Sequence, residues 1–162
     1  MGLILFQYFW IFIVFVIAAN GVVWRIAARD RINADPLLRK PLNRLYGGFV
    51  FWLSLPFLMM GLSIISGGVD NVLDYLTADI GNPHILGLYA LIFAEDALFI
   101  YWVFFRRGDH FLALHTELPL ARPKFRFAAR MLAVALPLMH GMVLYYVTFS
   151  PHFGQFFGAH GA

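Results

Sequence analysis

Four long apolar runs organise the chain. The first extends from Leu3 to Trp24 and is broken only by Gln7 and Asn20. The second, Leu45 to Ser66, has Pro56 near its middle, and the third, Ile85 to Phe105, contains Glu95 and Asp96. The fourth, Phe127 to Phe149, begins with Arg130 in its second turn and holds Pro137 and His140. Each run has 21 to 23 residues, and about 20 helical residues cross the hydrocarbon core of a bilayer. Backbone in lipid must satisfy its own hydrogen bonds, and barrel-type alternation is absent, so each run predicts a transmembrane helix. The expected fold is an all-α integral membrane domain over residues 1–162, with spans at about 3–24, 45–66, 85–105 and 127–149.

Composition supports this solvent. Of 162 residues, 61% are hydrophobic and 13% charged, with a mean hydropathy of +0.74. A soluble domain carries about 25% charged residues. Cysteine is absent, which excludes a disulfide framework and thiolate metal sites.

The charges orient the spans. Arg25, Arg29, Arg31, Arg39, Lys40 and Arg44 lie at or between the first two. Arg106, Arg107, Arg122, Lys124, Arg126 and Arg130 surround the connection from the third to the fourth. These are all twelve basic residues of the chain. The connection from the second span to the third has Asp70, Asp74 and Asp79 and no cation. The positive-inside rule therefore puts both basic loops in the cytoplasm and both termini outside, as in a bacterial inner membrane protein. Trp24 and Trp102 sit at the expected inner boundary. The first span is not expected to be a signal peptide, because its positive cluster follows it. Position 6 is Phe, so Gly2 lacks the myristoylation pattern.

The connections carry signals of their own. Val69, Val72, Leu73 and Leu76 recur at helical spacing, which predicts a short helix on the outer membrane surface. Asp35-Pro36 reads as an N-cap followed by a proline at the first helical position. Pro119 and Pro123 stop any helix that continues from the third span. The basic loops have few aromatic residues at spacings that suggest base stacking, so their expected partners are anionic lipid headgroups and not nucleic acid.

Candidate chemistry concentrates at mid-depth. An acid at the centre of a membrane helix costs about 2.5–3.5 kcal/mol on insertion scales, which marks Glu95 and Asp96. They read either as a protonatable site or as buried polar anchors. His140 reaches a similar depth on the fourth span, which makes a Glu95–His140 contact feasible. That pair reads as a proton relay, as a cross-helix bond, or with His140 as axial ligand to a haem or chlorophyll-type pigment. No matching second histidine lies at that depth, and nothing in the sequence requires a cofactor. His84 and His152, each directly after a proline near the outer face, form a candidate surface metal site. His110 and His115 have a di-iron oxygenase spacing without the further clusters that chemistry needs. Small residues form two stripes for close helix packing: Gly87, Ala90, Ala94 and Ala97 on the third span, Ala129, Ala133 and Gly141 on the fourth.

No nucleophile-elbow, zinc-protease or phosphate-loop motif is present. The expected function is a non-catalytic membrane subunit of a larger complex, respiratory or photosynthetic, contributing to assembly or stabilisation; partners are lipids and other membrane subunits or further copies. The alternatives are a proton- or cation-coupled transporter or channel protomer using Glu95, and a haem- or pigment-binding redox protein using His140.

Overall fold

Runs of Phe, Leu, Ile and Val without strong internal breakers form helices, and their length lets each carry a full span. A computed structural model of the chain describes residues 2–76, 81–113 and 125–149. All regular structure among them is helical. Four long helices carry the apolar runs: α1 (Gly2–Ala27), α3 (Arg39–Ile65), α4 (Pro83–Phe105) and α6 (Phe125–Phe149). Each is long and apolar enough to cross a membrane. Short helices join them: α2 (Arg29–Ala34) between α1 and α3, and α5 (Gly108–Ala113) after α4.

The ends of these helices follow local chemistry. Asp35 accepts a hydrogen bond from the backbone N–H of Leu37 at 3.1 Å and opens a 3-10 turn, Pro36–Leu38, with the proline at its first position. That turn runs directly into α3, which therefore begins at Arg39, one and a half turns before the apolar run. At the other end of α3, Gly67 adopts φ +73°, the left-handed conformation that glycine takes without steric cost. The Gly68 N–H then returns to the Ser63 carbonyl at 2.9 Å, closing the helix. Asn82 caps α4 by accepting from the His84 N–H at 2.9 Å, with Pro83 at the first helical position. Its amide also donates to the Gly68 carbonyl at 2.8 Å, tying the end of α3 to the start of α4. Arg107 has φ 54°, and this left-handed residue turns the chain from α4 into α5.

The connection from α3 to α4 differs from the expected surface helix. One 3-10 turn, Val72–Leu76, replaces an α-helix. Asp74 accepts from the N–H groups of Asp70 (2.7 Å) and Asn71 (3.1 Å), and Asn71 accepts from Leu73 at 2.8 Å. These side-chain bonds take backbone donors that a continuous α-helix would leave to its own turns. Val69 and Tyr75 are buried against Ile85 and Leu88, so the apolar side of this segment faces the protein.

Helices adjacent in sequence are adjacent in space. The closely packed pairs are α1 with α3 and α4 with α6, and a lighter α3–α4 contact joins the two hairpins. Gly61 lies beneath the indole of Trp10, and Gly21 beneath Val50; both permit the close approach of α1 to α3. The buried apolar core falls into two clusters. The one at the basic-loop end holds Ala28, Ile32, Leu42, Leu45, Leu112 and Ala129, and the one at the opposite end gathers around Val69, Tyr75, Ile85 and Leu88. The depth between them is where α4 carries its acids.

Candidate functional site

At mid-depth, α4 and α6 meet through a polar bond. Antiparallel packing brings Asp96 level with His140, and the imidazole Nδ1 lies 2.7 Å from the Asp96 carboxylate. Asp96 is buried, and His140 is partly exposed at the edge of the contact. The pairing corrects the Glu95–His140 contact that the sequence made feasible. One helical residue is a turn of about 100°, and that step aims Asp96, and not Glu95, at the imidazole. In the tautomer protonated at Nδ1 the imidazole donates to the carboxylate and its Nε2 lone pair points away. Nε2 makes no hydrogen bond to the described residues.

Glu95 has one carboxyl oxygen, Oε1, buried without a hydrogen-bond partner among the described residues. The His84–Ser63 contact and the packing of Met59 on Gly87 fix the register of α3 against α4. In that register Trp52 of α3 is level with Glu95. Pro56 has no N–H, so it leaves the Trp52 carbonyl without its helical donor. An acidic oxygen lacking a donor and a carbonyl lacking a donor thus lie at about the same level of their two helices.

The two small-residue stripes have different fates. On α6, Ala129 and Ala133 are buried, whereas a Cβ placed on Gly141 would meet nothing within 4 Å. On α4, Ala90, Ala94 and Ala97 are exposed, whereas Gly87 packs against Met59 of α3. The α4 stripe points roughly 170° away from Ile85, Leu88, Asp96 and Val103, the buried side of that helix.

The end of the bundle that carries the basic connections has a second charged cluster. Asp109, in the first turn of α5, is buried and lies 2.8 Å from Arg130 and 3.4 Å from Arg126, both half-exposed on α6. Arg126 also bonds the His110 imidazole. Burial alone would raise the Asp109 pKa. The His110 backbone N–H and the charges of Arg130 and Arg126 outweigh it and hold the carboxyl below its ordinary range. Arg126 is therefore engaged within the protein, where a headgroup contact was expected. Arg25 likewise donates from Nε to the Asn43 side-chain oxygen at 2.6 Å, linking α1 to α3. Sequence reasoning passed over Asp109; the available signal was a carboxylate two residues after the Arg106–Arg107 pair.

Among the described residues no group of three or more His, Asp and Glu side chains could hold a metal ion. His84 points Nδ1 at the Ser63 hydroxyl at 3.3 Å. Its expected metal partner His152 lies outside the described residues, as do His115, Arg122 and Lys124. For a haem-type group His140 offers one donor, with Nδ1 held by a carboxylate in the manner that orients ligating histidines. Any metal bound there would bring its remaining donors with it. No protein-family model matches the chain, and the comparisons with curated proteins and with solved structures find no match either.

Proposed function

We propose that the chain is a non-catalytic membrane subunit that docks on another membrane polypeptide through the Ala90–Ala94–Ala97 face of α4. The observation that carries this reading is the direction of that face: Ala90, Ala94 and Ala97 are exposed and lie opposite the buried side of α4. Small residues at helical spacing let backbones approach closely, and lipid has no need of such a face. The short connections, which leave little room for a soluble catalytic unit, agree with a scaffolding or stabilising role. Gentle detergent extraction followed by native mass measurement tests it. Stoichiometric co-purifying subunits are expected, and Ala94→Leu should release them while the monomer stays folded. A chain that runs as a bare monomer under the mildest extraction would end this reading.

A second reading rests on the mid-depth cluster. Asp96, His140 and the unpaired Glu95 oxygen form a protonatable set within the membrane, as a proton- or cation-coupled protomer would require. Here Glu95→Gln should abolish ion flux into proteoliposomes while leaving assembly intact. Under the subunit reading the same variant produces no change in flux.

A further inference from the structure

We infer that one face of α3 is a seat for an anionic phospholipid of the cytoplasmic leaflet. At the inner end of α3 an open cavity of about 500 Å³ is lined by Pro36, Arg39, Lys40, Asn43 and Arg44. None of its three cations pairs with a carboxylate among the described residues. The nearest acid in sequence, Asp35, is turned to the Leu37 backbone as a cap. Asn43 is held by Arg25 of α1, which brings a fourth cation to the rim. The cavity is thus strongly positive, and no carboxylate among the described residues pairs with its cations.

What lies above the cavity identifies the occupant as a lipid and not a free anion. Lys40, Arg44, Gly47, Phe51, Leu58 and Leu62 fall within about 60° of arc on α3. All six are exposed, so this strip faces away from the rest of the chain. It is cationic for its first turn and apolar for the next four. At Gly47 a Cβ would meet nothing within 4 Å, which leaves a dent between the Arg44 and Phe51 side chains. A phosphate in the cavity puts the first methylenes of an acyl chain at this dent, with Phe51, Leu58 and Leu62 alongside the rest. Inorganic phosphate would use only the lower third of the surface. Several cations close together favour a lipid with two phosphates over one with a single phosphate. The inference rests on the membrane-spanning reading of α3 and is independent of what the α4 face binds.

Native mass spectrometry of the full chain in nanodiscs tests this, with phosphatidylcholine, phosphatidylglycerol and cardiolipin in equal amounts. Each cation near an anionic surface is worth about fivefold in affinity. Retention should follow cardiolipin, then phosphatidylglycerol, then phosphatidylcholine. The combined variant Arg39→Gln, Lys40→Gln, Arg44→Gln should weaken cardiolipin binding on the order of a hundredfold. Gly47→Leu fills the dent without changing charge and enters open space, so it preserves the fold; it should weaken binding several-fold. Equal retention of the three lipids would overturn the inference. So would a Gly47→Leu protein that holds cardiolipin as tightly as the native chain, because attraction would then be diffuse and no seat would exist. If the charge variant fails to fold, Gly47→Leu alone decides.

Discussion

Asp96 and His140 are the residues on which the α4–α6 contact turns. A side-chain bond between membrane helices contributes about 0.6 kcal/mol on average and up to about 1.7. The 2.7 Å contact with a buried acceptor belongs at the upper end of that range. A double-mutant cycle with Asp96→Ala and His140→Ala should give a coupling energy of about 1–2 kcal/mol in a folding assay in mild detergent. Additive single effects would show that the two side chains do not act together. Asp109 is a different case, since its partners reach solvent. Its folded-state pKa is depressed, so its contribution is present above the unfolded carboxylate range and disappears as pH falls through the folded value. Asp109→Asn should therefore cost about 1–3 kcal/mol at pH 7. The gap between variant and native melting temperatures should close as the solution is acidified below the ordinary carboxylate pKa. A gap that stays constant with pH would mean the carboxylate charge contributes nothing.

Glycines separate the helices by role. Gly61 lies under the Trp10 ring, whereas Gly47 borders open space. Gly61→Val forces the indole aside, and overpacking of this kind costs about 1–3 kcal/mol. Gly47→Ala meets no obstacle and removes the backbone entropy penalty of a helical glycine, a gain of roughly 0.5–1 kcal/mol. Thermal melting of the two variants should move in opposite directions; a shared direction would contradict the α1–α3 packing described above. The four spans were legible in the sequence because apolar length is a local property. Helix ends were less so: α3 starts at Arg39 because the Asp35 cap and the Pro36 turn lead straight into it, ahead of the first apolar residue. The connection from α3 to α4 kept its helical spacing in the sequence. Its Asn71 and Asp74 side chains nevertheless captured backbone donors and tightened it into a 3-10 turn.

At the scale of the whole molecule, the charge distribution predicts one orientation. The chain has no native cysteine, so single reporters are clean. A membrane-impermeant thiol reagent should label Asp70→Cys from outside intact cells and Ala34→Cys only after permeabilisation. Equal labelling of both in sealed cells would remove the assignment of inner and outer faces. It would also remove the leaflet assigned to the α3 lipid seat.

Hydropathy and the placement of cations, both additive along the chain, were enough to specify helix number, helix length and the expected sidedness. They also marked Glu95, Asp96 and His140, because a polar group in hydrocarbon is costly wherever it sits in the bundle. Which acid meets the imidazole was decided only by tertiary packing. Glu95 and Asp96 differ by one residue, and the rotation of α4 against α6 determines which of them faces His140. Packing likewise turned Ala90, Ala94 and Ala97 of α4 outward and Ala129 and Ala133 of α6 inward, and it drew Asp109 beneath two arginines. Such contacts depend on relative helix rotation and register, quantities that no local stretch of sequence contains.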